Sequence, residues 1–263
     1  LEMEIEFHDD AFLHADPLHH LAHVVDQTIE LLGHQAELTE YIGQLGNRSL
    51  SIFVRTTILL NGETGYFVLG AQITEFLASD FRIRTTVAII GSGPIGALHL
   101  LLAKMRGAAS VTMVDLSDDR LSAMKAFGAD HLVNGKTSDP VAAVRDIYGG
   151  AGADVVIVAC VSASAQAQAL EMAARRGQVL MFSGLPENAP TATLNTNLIH
   201  YHELRVLGSR SSVKRQWDLA LELLVSGRID GDAIVNRSVS LDRIQDGFDM
   251  LKAGTALKVA VKP

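Results

Sequence analysis

Thr86-Val-Ala-Ile-Ile-Gly-Ser-Gly-Pro-Ile-Gly96 decides how the rest of the chain is read. The run Val87 to Ile90 is apolar at every position, the mark of a strand buried on both faces. It leads straight into Gly91-x-Gly93-x-x-Gly96, and a helical pattern follows from Ile95 to Met105. Each glycine has its own reason. Gly91 permits a tight turn off the strand, Gly93 lets a pyrophosphate approach the backbone, and Gly96 lets the helix lie close on the sheet. Pro94 and Ile95 open that helix, whose N-terminal N–H groups favour an anion. Nineteen positions after Gly96, the apolar run Val111-Thr-Met-Val-Asp115 ends on a carboxylate. A group that accepts from an adenosine ribose is expected there. The glycines alone are a weak signal; strand, turn, helix, strand and Asp together specify a dinucleotide site.

Downstream of this unit the pattern repeats. Strands are expected at 86–90, 111–115, 131–133, 154–159, 178–182 and 204–208. Helical patterns fall at about 95–106, 117–127, 139–148, 163–175, 195–202 and 214–226. This alternation predicts an α/β fold, a doubly wound parallel sheet with helices on both faces. Ligands of such sheets lie beyond the C-terminal strand ends. That rule gathers Gly91, Gly93, Asp115, Cys160, Val161, Ser183, Gly184, Leu185 and Ser209 on one rim. The last segment breaks the repeat: 235–241 reads as extended, 242–253 as a helix and 257–261 as a closing strand. Too little chain remains for another crossover, so this piece is expected to pack on the N-terminal region. The chain thus divides into 1–85, a dinucleotide domain 86–230, and a returning segment 231–263.

Residues 1–85 have a different character. Thirteen acidic residues stand there against four arginines and no lysine, whereas the remainder is nearly balanced. Six of the ten histidines lie in the first 34 positions. Alternation over 1–10 predicts a short strand, and three- and four-residue apolar spacing from Pro17 to Leu32 predicts an amphipathic helix. A short helix over 37–45 and a hairpin of 51–60 with 66–72 follow, giving a small, atypical α+β region. Across the whole chain, the net charge of −8 argues against a nucleic-acid partner. No apolar run is long enough to span a bilayer. A single cysteine, Cys160, excludes an internal disulfide and, with no signal-peptide layout, fits a cytoplasmic location.

Several blocks resemble medium-chain dehydrogenases. They are Ile89 to Gly96, Leu102-Ala-Lys-Met-Arg-Gly-Ala108, Val114-Asp-Leu-Ser-Asp-Asp-Arg-Leu121 and Ala126-Phe-Gly-Ala-Asp130. Asn197-Leu-Ile-His-Tyr-His-Glu-Leu204 and the ending Gly254-Thr-Ala-Leu-Lys-Val-Ala-Val261 sharpen the likeness to zinc-type alcohol and polyol dehydrogenases, of the sorbitol or threonine dehydrogenase kind. The resemblance covers about residues 85–263. It implies a Rossmann domain, NAD or NADP as hydride carrier, an alcohol or ketone substrate, and a C-terminal segment that completes the catalytic domain. It also implies that Arg120 lies over the adenine, although a surface arginine on the helix is the competing reading, and that the segment around 204–208 makes a homo-oligomer contact. Asp115 favours NAD, because its charge would repel a 2′-phosphate.

The resemblance implies a catalytic zinc as well, but its ligands are not found. No cysteine occurs in residues 1–85, and Gly33-His34-Gln35 is the one echo of the family's Gly-His-Glu. His19 and His23, four apart on the expected helix, form a second candidate with His14, Asp16 or Asp26 as a third ligand. Solvated side chains on an amphipathic face are the default for both. Residues 1–85 therefore read as a truncated or replaced catalytic region. Cys160 reads as a buried inert thiol at the rim, since no base adjoins it. His200 and His202 face either a substrate or a packing surface. Besides the NAD-dependent dehydrogenase, an NAD-binding sensor without turnover and a zinc-free reductase stay open.

Overall fold

The computed structural model describes residues 84–209 and 214–262. Six strands form one parallel sheet: β1 (Thr86–Ile90), β2 (Ser110–Asp115), β3 (His131–Asn134), β4 (Ala153–Val158), β5 (Ala173–Met181) and β6 (Arg205–Gly208). Their order across the sheet is β3-β2-β1-β4-β5-β6. This is the doubly wound Rossmann order, with the chain reversing direction of travel between β1 and β4. The connecting helices are α1 (Pro94–Met105), α2 (Asp118–Met124), α3 (Pro140–Ile147), α4 (Ala163–Met172) and α5 (Thr196–Tyr201), and α6 (Lys214–Val225) follows β6.

The central strands β1 and β4 are almost wholly apolar because successive side chains enter different layers, both buried. Val87 and Ile89 of β1 pack with Leu100 and Leu102 of α1, Met113 of β2, and Leu223 of α6. Ala88 and Ile90 point the other way, to Val144 of α3 and Leu170 and Met172 of α4. Each fully buried leucine or isoleucine contributes about 1.5–3 kcal/mol. His99 of α1 sits in the first layer, completely buried and edge-on to Phe182, with ring centroids 4.9 Å apart. Burial pushes its pKa down to about 3, so the ring packs neutral.

Two helix limits differ from the periodicity. The pattern over 117–127 breaks into α2 and a 3₁₀ turn, Lys125–Phe127, which Gly128 closes at φ 90°. The pattern over 163–175 stops at Met172, because Ala173 is already extended. Residues 174–177 then make a detour: the register jumps from Ala153–Ala173 to Val155–Gln178. Arg176 takes φ 62° there, held by its N–H on His202 O (2.7 Å) and its guanidinium on Glu203 (2.9 Å). Tertiary contacts override the helical propensity of Ala-Ala-Arg-Arg.

Beyond α6 and a short helix, α7 (Gly231–Ile234), lies a second, two-stranded sheet. Its strands β7 (Arg237–Ser240) and β8 (Val259–Lys262) are parallel, joined by a 3₁₀ turn (Leu241–Arg243) and α8 (Ile244–Lys252). Val239, Val259 and Val261 pack there against Ile244, Met250 and Leu251. Asn236 Oδ1 accepts from Leu257 N–H (3.0 Å) and so ties the two strand entrances together. The elements expected in residues 1–85, and the packing of 231–263 on them, lie outside the described residues.

Candidate functional site

The rim at the C-terminal ends of the central strands is built around the glycine turn. Ladder bonds carry β1 one step past its end: Gly91 N–H donates to Val114 O (2.7 Å), and Ala159 N–H donates to Ile90 O (2.8 Å). Gly91 has φ 111°, and a Cβ on it would stand 2.8 Å from Ala159 O. Only glycine fits both constraints. Gly96 is tighter still, since a Cβ there would meet Gly91 O at 1.9 Å. Gly93 is the opposite case. Nothing lies within 4 Å of its missing Cβ, which leaves the backbone approachable.

Asp115 closes the turn from the neighbouring strand. Its Oδ2 accepts from Ser92 N–H (2.7 Å), and its Oδ1 accepts from Leu116 N–H (2.7 Å) and Ser117 N–H (3.0 Å). Helix α1 begins at this point with Pro94 in its first turn and no side-chain cap. By contrast α2, α3, α4 and α7 are capped by Ser117, Asp139, Ser162 and Asp230. The start of α1 is thus free of competing side-chain acceptors where an anion would sit.

The other expected rim residues lie at or just beyond the C-terminal ends of their own strands, apart from Arg120 on α2. Cys160 follows β4, half-buried, its Cβ 3.1 Å from where a Gly91 Cβ would be. Burial and then the Asp115 charge push its thiol up, which keeps it protonated and a poor nucleophile at neutral pH. Val161 is 64% exposed. Ser183 extends β5 by donating its N–H to Val158 O (3.1 Å), and Gly184 and Leu185 come next. Ser209 follows β6. Its hydroxyl oxygen, like that of Ser92, is buried without a hydrogen-bond partner among the described residues. Arg120 is exposed in the first turns of α2.

One residue is absent from the sequence-based set. Leu116 follows Asp115 and is 58% exposed, a large apolar side chain on the rim. The signal was its position directly after the strand's carboxylate. Of the readings open for His200 and His202, their position favours packing over a substrate contact. His200 and His202 precede β6, and His202 O accepts from Arg176 N–H at the entrance of the sheet. They stand at the end opposite the rim. A cavity of about 430 Å³ beyond β3 also differs from the rim. Most of its polar side chains bond one another or the main chain, with Asn134 Nδ2 donating to Asp118 and the Thr137 and Ser138 hydroxyls to Asn134 O.

A family model described as zinc-binding dehydrogenase matches residues 94–226, from α1 through α6. The chain belongs to the zinc-binding dehydrogenase family. L-threonine 3-dehydrogenase of Bacillus velezensis is 33% identical over 196 residues, 74% of this chain and 56% of that one. Sorbitol dehydrogenase of Gallus gallus is 32% identical over 178 residues, 67% of this chain and 49% of that one. A zinc-binding dehydrogenase of Sinorhizobium meliloti 1021, solved bound to NADP, superposes with a TM-score of 0.70 at 28% identity, covering 75% of this chain and 58% of that chain. The chain spans about half the length of the curated relatives it matches.

The rim residues fit a dinucleotide. Gly93 leaves room, α1 offers an uncapped start, Asp115 offers a carboxylate, and the two serines hold orphan buried hydroxyls. Zinc is a different matter. Among the described residues no three His, Cys, Asp or Glu side chains gather as a metal site. His34 and the His19–His23 pair, with His14, Asp16 and Asp26, lie outside the described residues. No helix among the described residues is long and apolar enough to cross a membrane.

Proposed function

We propose that this chain carries the cofactor half of an NAD-dependent oxidoreductase that moves hydride between a nicotinamide and an alcohol, polyol or ketone. The observation that carries the reading is the pairing of an open Gly93 turn with the Asp115 carboxylate on adjoining strands. Gly93, Pro94, Ile95 and Gly96 hold the pyrophosphate at the start of α1. Asp115 accepts from the adenosine ribose, and Leu116 and Val161 flank the adenine together with Arg120. Cys160, Ser183, Gly184, Leu185 and Ser209 line the path toward the nicotinamide. The cofactor supplies the hydride acceptor; the chain supplies its position and the surrounding charge.

Three carboxylates within five positions, Asp115, Asp118 and Asp119, make the ribose end negative and select NAD over NADP. Titration with NADH and NADPH, followed by thermal shift, tests this directly. NADH at about a hundred times its dissociation constant raises stability by about 2.7 kcal/mol. A larger shift with NADPH than with NADH overturns the cofactor assignment. The reading extends to a homo-oligomer: β6 is a sheet edge with Val206 on it and Tyr201 exposed beside it, and a second copy pairs there. Light scattering of the wild type and of Val206→Lys tests that contact, and equal monomer masses for both remove it.

A further inference from the structure

The free protein already uses the carboxylate that the ribose reading assigns to the cofactor. A carboxylate has about four acceptor positions on its two oxygens. Main-chain N–H groups fill three of those of Asp115: Leu116 and Ser117 on Oδ1, and Ser92 on Oδ2. The first two belong to the residues that follow it and set the orientation of the side chain. The third reaches across to the turn that leaves β1.

The register shows how that reach adds to the ladder. β1 and β2 pair in parallel as far as Ile90–Val114, and Gly91 N–H still finds Val114 O. Ser92 N–H comes next, where the chain leaves β1 for α1, and it finds the Asp115 side chain. Two consecutive residues of β2 thus grip two consecutive residues of the turn. Ser92 is completely buried and its hydroxyl has no partner among the described residues. The amide is the group through which this residue is held. On the other side, Ala159 O and the Cys160 Cβ occupy the space that a Gly91 side chain would need.

We propose that Asp115 is a positioning residue for the phosphate-binding turn as well as the ribose acceptor, so that one side chain couples the ribose and pyrophosphate subsites. The coupling rests on the dinucleotide reading; the latch itself does not. Two consequences follow. Ser92 N–H is spent on Asp115, so the phosphates are served by the N–H groups beyond Gly93. Removing the negative charge, the change that would relieve repulsion of a 2′-phosphate, also releases the turn. Neutral variants therefore lose NADH without gaining NADPH.

Amide hydrogen exchange of the cofactor-free full chain, resolved at Ser92, separates the latch from the cofactor. The series runs wild type, Asp115→Asn, Asp115→Ala. Asn keeps one acceptor oxygen and Ala keeps none. Exchange at Ser92 rises by at least about tenfold in Ala, with Asn between, while β4 and α3 keep their protection as the folding control. Calorimetric titration of the same proteins gives NADH affinity falling by more than about tenfold, with NADPH affinity no higher than in wild type. Unchanged Ser92 exchange in both variants overturns the latch, and a neutral variant that gains NADPH overturns the coupling. A wild type that binds neither nucleotide, with Ser92 exchange still governed by residue 115, overturns the dinucleotide reading and leaves the latch standing.

Discussion

The two ends of the six-stranded sheet are made from the same kinds of residue and finished differently. At the N-terminal end charged side chains fasten the strand entrances, although Gln178 Oε1 and His202 Nδ1 are buried there without a partner among the described residues. Asp154 accepts from Thr86 N–H and Thr86 Oγ1–H, both at 2.8 Å, and fastens β4 to β1. Asp130 accepts from Val111 N–H (2.6 Å) and from Lys104, fastening the entrance of β2 to α1. Arg176 and Glu203 join β5 to β6, and Arg175 donates to Tyr201 O. At the C-terminal end the groups stay available: an uncapped helix, an open Gly93, and the buried hydroxyls of Ser92 and Ser209. Asp154 and Asp130 at strand entrances are fastenings; Asp115 at the exit of β2 is a fastening too, and the proposed reading adds a ligand to it.

The hardest blow to that arrangement falls on the glycine that joins the two roles. Gly96→Ala places a methyl 1.9 Å from Gly91 O, a backbone atom that cannot move without dragging β1 and β2. The expected loss is at least about 3 kcal/mol, read as a large drop in melting temperature together with loss of NADH binding. Gly93→Ala is the contrast. Its φ of −81° suits any residue, and its Cβ direction is empty. Melting stays within about 1 °C of wild type while NADH affinity falls steeply, because the methyl occupies the space reserved for phosphate. Equal melting losses in the two variants would break the distinction between a packed glycine and an open one.

At the other end the expected effect is smaller and of the reverse kind. Asp154→Ala removes the acceptor of Thr86 N–H and its hydroxyl at a solvent-exposed site. It costs about 1 kcal/mol, or about 2–4 °C in melting temperature. NADH affinity does not change. A drop in affinity parallel to the drop in stability would mean that the two ends are not separable.

Much of this was legible in the chain because it is local. Apolar runs alternating with helical patterns placed all six strands, and β1 begins and ends at the residues the pattern gave. The spacing from the glycine turn and the end of the second strand placed Asp115 at the rim. What escaped the sequence depends on contacts across it. Nothing near Ala173 says that the helix must stop there; the instruction comes from His202 and Glu203, nearly thirty residues on. The bond from Ser92 N–H to Asp115 spans 23 residues and involves a main-chain donor that every residue but proline carries. For His200 and His202 the sequence left a substrate and a packing surface open, and the direction of β6 puts them at the N-terminal end of the sheet.

Asp130 offers the gentlest probe, since it works by titration alone. Partial burial raises its pKa, but the bond from Lys104, the Val111 N–H and the charges of Lys104 and His131 outweigh that and leave it below the usual carboxylate range. A carboxyl depressed in the folded state stabilises fully above its unfolded pKa of about 3.9, and the contribution is lost as pH falls through the folded value. Melting of the wild type should therefore decline below about pH 4, and Asp130→Asn should decline less steeply there while starting lower at pH 7. Because about a third of each side chain of the pair is exposed, solvent screens it and the difference is small. NADH affinity in Asp130→Asn is expected to match wild type at pH 7, since the carboxylate lies at the entrance of β2 and Asp115 at its exit. An affinity change without a melting change would show that charge at the closed end is felt at the open one.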